Sequence, residues 1–218
     1  MNKSEKQQFE TLLKKRDFDS LLFLYKKDRK IWQKIRTSLY AIDETIRWPA
    51  IEAVGFIMKS WWESGHEEKV RNYIRTLFWS ITDESGGIGW SSPQTIAEII
   101  CNIPELIDPY GSMMIAYAID EPPLIKGCLW GIGRLGDKIT DSVDFFKEKI
   151  LMVFQTDDIE IFGLAAWAMG EVCFKPALPF LEKLKEIETP VKIYVKGEFR
   201  EEPLSSWVYR AVAKIEIK

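Results

Sequence analysis

A pattern that returns at near-constant spacing constrains this chain more than any other feature of its sequence. Residues 161 to 174 read Ile-Phe-Gly-Leu-Ala-Ala-Trp-Ala-Met-Gly-Glu-Val-Cys-Phe, and Gly170 within that stretch has counterparts in Gly133, Ala97 and Gly55. The successive intervals from Gly55 onward are 42, 36 and 37 residues. A small residue held in an apolar helix at such a period specifies stacked helical hairpins, because one hairpin cannot bury its apolar face alone. The expected fold is therefore an all-α, right-handed α-α superhelix occupying residues 1–218 as a single domain. Residues 1–42 read as N-terminal helices, 43–187 as about four hairpins, and 188–218 as a β-hairpin followed by a capping helix.

Local signals place these elements. Phe9, Leu12 and Leu13, then Phe18, Leu21, Leu22 and Tyr25, keep helical spacing on either side of a break at Arg16-Asp17, and Ile31, Ile35, Leu39 and Ile42 make a third helix. Asp43 caps a helix running to about Trp62 that contains Pro49, and Gly65 closes it before the stripe Val70, Tyr73, Ile74, Leu77, Phe78 and Ile81. Ser92 and Pro93 form a helix start, and Pro109 with Gly111 is expected to break the second helix of that repeat early. Glu121-Pro122-Pro123 opens the third repeat and Asp157-Asp158 the fourth. Beyond Pro190 the period changes to two: Val191, Ile193 and Val195 alternate with polar residues before Lys196-Gly197, which predicts a β-hairpin.

The charge balance excludes a dominant nucleic-acid footprint. The net charge of -3 divides into +5 over residues 1–50 and -8 over the rest, and only the cluster Lys26, Lys27, Arg29, Lys30, Lys34 and Arg36 offers a basic surface. Cys101, Cys128 and Cys173 are odd in number and lie in apolar helical patterns, as core thiols of a reducing compartment do. The start Met1-Asn2-Lys3-Ser4 carries no signal-peptide pattern, and no apolar run reaches the roughly 20 residues that span a bilayer. A cytoplasmic protein without membrane contact is expected.

The repeat core, with its small residues, Gly133-Arg134 and Gly170-Glu171, resembles HEAT-repeat proteins, in particular the phycobilisome-lyase HEAT-like branch. In deoxyhypusine hydroxylase, an enzyme of that branch, a His-Glu dipeptide seven residues before the reference position holds a di-iron site. Here those places read Trp48-Pro49, Trp90-Ser91, Lys126-Gly127 and Gly163-Leu164, so no iron ligands are expected, nor any other metal, cofactor or catalytic residue. The resemblance further implies that this register faces the inner groove. Trp48 and Trp90 would then make the groove aromatic, with Lys126 beside them and Trp130 stacked beneath Arg134 one turn on.

These residues point to a binding surface. Trp48 and Trp90 are expected to flank one patch, rimmed by Glu84, Ser85, Gly86 and Gly87 of the glycine-dense segment that precedes Trp90. The function expected is a non-enzymatic scaffold or assembly factor that grips a protein, or a protein-bound cofactor, in its concave groove. Nucleic acid is the second choice of partner. The alternative is an enzyme, either bilin-lyase-like or a glycosylase resembling the HEAT-like alkylation-repair proteins, for which Trp48, Trp79 and Trp90 near Asp83 would hold the nucleotide.

Overall fold

The computed structural model describes residues 3–82 and 89–217. Helices α1 (Lys3–Lys14), α2 (Phe18–Lys27) and α3 (Lys30–Ser38) open the chain. Arg16 takes a left-handed conformation at the break between the first two, and the Asp17 side chain accepts from Ser20 N to start α2. Helix α4 (Glu44–Glu63) begins as expected on Asp43, whose carboxylate accepts from Thr45 N, and it continues through Pro49. Gly65, at φ 76°, ends that turn before α5 (Glu67–Thr82).

The next repeat corrects two expectations. Helix α6 (Ser92–Asn102) has Ser91 at its N-cap, but neither serine caps it. The Ser91 hydroxyl donates to Leu39 O at 2.8 Å, and Ser92 Oγ pairs with Ser80 Oγ, so both hydroxyls tie repeats together instead. Its partner α7 (Ile107–Ala118) is not cut short. Pro109 falls in the first turn, where a missing backbone N–H costs nothing because that donor has no partner within the helix.

Helix α8 (Ile125–Leu135) is followed by the short helices α9 (Thr140–Phe145) and α10 (Lys147–Met152). Helix α11 (Ile159–Val172) is capped by Asp158, which accepts from Glu160 N and Ile161 N, and is followed by one-turn α12 (Leu178–Leu181). Strands β1 (Pro190–Val195) and β2 (Glu198–Pro203) then pair antiparallel about Lys196-Gly197. Both turn residues have positive φ, 53° and 88°, as a tight hairpin with right-handed strand twist requires. Helix α13 (Leu204–Ile217) closes the chain.

Helices α4, α6, α8, α11 and α13 pack successively as an inner layer, and α5, α7 and the shorter helices lie outside it. The chain is a helical repeat solenoid with one small hairpin. Ile51, Ile99, Leu129 and Ala165 are fully buried along the inner layer. The reference glycines make its seams. A Cβ added to Gly55 would lie 2.8 Å from Glu98 Cγ on the next inner helix, one on Gly133 2.6 Å from Trp167 Cζ3, and one on Gly170 2.7 Å from Ala211 Cα. Each position thus receives the following helix at a distance that only a missing side chain permits.

Candidate functional site: a groove filled from within and an exposed Trp90 face

The inner helices carry carboxylates and aromatic rings toward the concave side, and most of these groups are already engaged. Arg16, in the left-handed break before α2, donates to both oxygens of Glu52 at 2.7 and 3.0 Å. One helix further on, Arg134 forks onto Glu98 at 2.7 and 3.1 Å, while Asn102 Nδ2 donates to Glu98 Oε1 at 3.0 Å. Glu171 accepts from the Trp167 indole at 3.1 Å and from Lys214 at 2.6 Å. These pairs surround a cavity of about 420 Å³ between the inner helices and the hairpin turn. Glu98 is only 4% exposed, and its burial raises its pKa against the opposing pull of Arg134. The hydrogen bonds that Arg134 donates to Glu98 in turn hold its own proton more tightly.

The hairpin occupies the rest of the concave face. Tyr194 stacks on Trp48 and accepts a 2.7 Å hydrogen bond at its carbonyl from the Trp130 indole, while its hydroxyl donates to Glu52 at 2.8 Å. Val191 sits where a side chain on Gly163 would be, and its carbonyl accepts from the Trp207 indole at 3.2 Å. Lys192 reaches Glu44 at 2.6 Å, and the turn at Gly197 rests on the Arg16 guanidinium. Val191, Ile193 and Tyr194 are all buried. Strand β1 therefore runs across the inner layer from α11 and α13 back to α4, and it is part of the core.

That arrangement corrects the expected aromatic groove. Trp48 is 9% exposed between Trp130 and Tyr194, so it is not an open anchor. Trp130 does not lie beneath Arg134: its ring meets Trp48 and Trp167, and Arg134 turns to Glu98. Lys126 lies on a rim, paired with Asp158 at 2.9 Å and Glu160 at 2.5 Å, and these carboxylates outweigh its burial to raise its pKa. Trp48 and Trp90 do not flank one patch. Glu84, Ser85, Gly86 and Gly87, like Asp83, lie outside the described residues.

Trp90 instead belongs to a separate depression of about 450 Å³ that it shares with Tyr40, Ile42, Arg47 and Gln94. Trp90 is 62% exposed, Tyr40 60% and Ile42 95%. Arg47 is held across its base by Ala41 O and Glu44 Oε1, both at 3.0 Å. Gln94 also lines it, but its buried Oε1 lies against Gly127 of the next inner helix and meets no donor among the described residues. Helical spacing assigns Ile42 to the apolar stripe of the third helix, but α3 ends at Ser38, so Ile42 and Tyr40 both fall in the link beyond it. Trp79 is exposed on α5, so the tryptophans considered for nucleotide capture do not converge with buried Trp48.

The remaining chemistry is sparse. Cys128 is fully buried, and burial pushes its thiol well above the ordinary range, which suits packing rather than nucleophilic attack. Among the described residues no three His, Cys, Asp or Glu side chains converge on a metal position, and no helix is long and apolar enough to cross a membrane.

No protein-family model matches the chain. It is 29% identical over 176 residues to an uncharacterized protein of Archaeoglobus fulgidus, covering 79% of this chain and 90% of that one. Among solved structures it is similar to a designed armadillo repeat protein in complex with the peptide (KR)4, with a TM-score of 0.55, 16% identity and coverage of 98% and 95% of the two chains. A second designed armadillo repeat protein matches with a TM-score of 0.52, 15% identity, and 98% and 96% coverage. At these identities the likeness concerns the fold, a helical repeat solenoid.

Proposed function

We propose that this chain is a non-enzymatic binding scaffold for a protein partner, and that the partner docks on the Trp90 face. The observation that carries the reading is the concentration of Tyr40, Ile42 and Trp90, each more than half exposed, around one depression. Soluble proteins rarely leave large apolar side chains grouped in this way without a covering surface, and tryptophan dominates binding hot spots.

The concave groove supports the same class of function by a different route. A similar solenoid is described in complex with the peptide (KR)4, and in this chain the lysine-bearing strand β1 lies across the inner helices as an extended segment. The groove is thus spoken for in cis, and a partner is directed elsewhere. The finer family reading, the phycobilisome-lyase HEAT-like branch, rests on Gly133-Arg134 and Gly170-Glu171 and on the seam glycines. A cytoplasmic setting accords with three free thiols, of which Cys128 is buried.

The test is a photo-crosslinking amino acid placed at Ile42 in cells of the native host, with one at exposed Phe145 as control. A discrete protein adduct from position 42 that disappears in Trp90→Ala supports the reading. An adduct indifferent to that change, or one sensitive to nuclease, sinks it.

A further inference from the structure

Beyond the docking face and the inner cavity, a third concavity gathers positive charge. It lies between α2, α3 and the turn joining α4 to α5, encloses about 420 Å³, and is lined by Lys26, Arg29, His66 and Lys69 over Trp32 and Trp61. Among the described residues no carboxylate lines it. The acidic residues adjacent in sequence are engaged elsewhere: Asp28 accepts from Lys30 N at 2.9 Å, Glu63 faces Lys59 at 3.9 Å and Glu67 pairs with Arg71 at 3.2 Å. The Lys and Arg side chains that line it are Lys26, Arg29 and Lys69, in a chain of net charge -3.

Aromatic rings, not counter-ions, position two of these side chains. Lys69 Nζ sits 3.4 Å from the centroid of the buried Trp61 ring. The Arg29 guanidinium lies 4.7 Å from the centroid of the buried Tyr25 ring and also donates to its hydroxyl. A ring face holds a cation in place without cancelling its charge, so Lys69 and Arg29 keep their positive charge beside the cavity and repel one another. An anion entering there gains charge-assisted hydrogen bonds and removes that repulsion. The Ser60 and Ser64 side chains line the same wall. Beneath the cations, Trp32 is half-buried and packs on Trp61 with ring centroids 5.0 Å apart, giving the cavity an aromatic floor.

We infer that this cavity binds a nucleotide-sized organic phosphate, with the phosphate on Lys26, Arg29 and Lys69 and a planar or apolar portion over Trp32. The volume falls in the usual range for small-molecule sites, and the combination of cations above an aromatic floor fits an organic phosphate better than a bare inorganic anion. The inference stands apart from the Trp90 face, with which it shares no lining residue.

The experiment is calorimetric titration of the full chain with ADP and with pyrophosphate at constant ionic strength, repeated on the double variant Lys26→Gln, Lys69→Gln. Both lysines are exposed, so the variant should keep the parent's circular dichroism, with only a small fall in melting temperature from the lost Lys69–Trp61 contact. The expected result is that ADP binds at least about ten-fold more tightly than pyrophosphate, and that the double variant weakens ADP at least about ten-fold, the effect of losing one good charged contact. Absence of ADP binding, equal affinity for both ligands, or an ADP affinity unchanged in the variant would each overturn the inference. Binding of duplex DNA or anionic phospholipid vesicles without ADP binding would overturn it too.

Discussion

Tyr194 lies flat against Trp48, with ring centroids 4.8 Å apart and planes inclined by 15°. The contact joins the C-terminal hairpin to the first inner helix, residues 146 apart in sequence, and turns an open solenoid into one whose concave face is packed. Tyr194→Ala should cost about 3 kcal/mol or more in unfolding free energy, as large aromatic truncations do, whereas Tyr194→Phe should cost only about 1 because Glu52 keeps Arg16. Chemical denaturation of the two variants checks this, and equal losses would mean that the stack contributes little.

Gly170 offers a sharper test of the seams than a bulky substitution would. Its missing Cβ would meet the backbone of Ala211, which cannot rotate aside, while that of Gly133 would meet the movable ring of Trp167. Gly170→Ala is expected to destabilise by about 1–3 kcal/mol and Gly133→Ala by less, with Lys30→Ala within about 0.5. Melting curves decide, and equal shifts at Gly170 and Lys30 would refute the close-approach argument.

Arg134→Met leaves the buried Glu98 carboxylate with Asn102 as its one side-chain hydrogen-bond donor among the described residues and should cost about 3 kcal/mol at neutral pH. The pH dependence has a definite sign. Burial raises the folded-state pKa of Glu98 above its ordinary value, so the folded protein binds this proton more tightly than the unfolded chain, and the residue's contribution to stability falls as pH rises through that folded pKa. Losing Arg134 extends the effect. The deficit of the variant should therefore shrink on acidification, which urea titrations at several pH values would show; a deficit independent of pH counts against a charged Glu98.

Asp158 behaves in the opposite sense. Its folded-state pKa is depressed, because the hydrogen bonds from Lys126 and from the backbone of Ile161 and Glu160 outweigh partial burial. Its stabilising effect is present above the ordinary carboxylate pKa and is lost as pH falls through the lower folded value. Asp158→Ala should cost about 1 kcal/mol at neutral pH, the usual worth of an N-cap, and almost nothing in strong acid. Comparing the midpoints of parent and variant across that range is sufficient.

The places where His-Glu pairs would stand hold Trp48, Trp90, Lys126 and Gly163, and of these Trp48 and Gly163 are sealed by the hairpin. Purified protein is accordingly expected to contain no stoichiometric iron or zinc. Elemental analysis showing metal in proportion to chain would contradict this.

Elements that depend on short-range chemistry were legible in the residues themselves. The recurrence of Gly55, Gly133 and Gly170 announced the seams, Asp43 and Asp158 the helix starts, and Lys196-Gly197 the turn, because caps, close approaches and positive φ each demand particular side chains at particular offsets. Local signals failed where one motif has two outcomes, as at Pro109, harmless in a first turn and disruptive four residues later. What covers Trp48 was decided only by the tertiary structure. Its spacing marked an inward-facing position, but an inward-facing indole is packed equally well by a partner or by another segment of its own chain, and alternation in Val191, Ile193 and Val195 does not say which surface that strand will cover. Tyr194, buried against Trp48 on the face that alternation assigns to solvent, is the consequence: at Ile193 and Tyr194 β1 is covered on both faces because the repeats curve around it, a property of helix stacking over more than a hundred residues and of no single stretch.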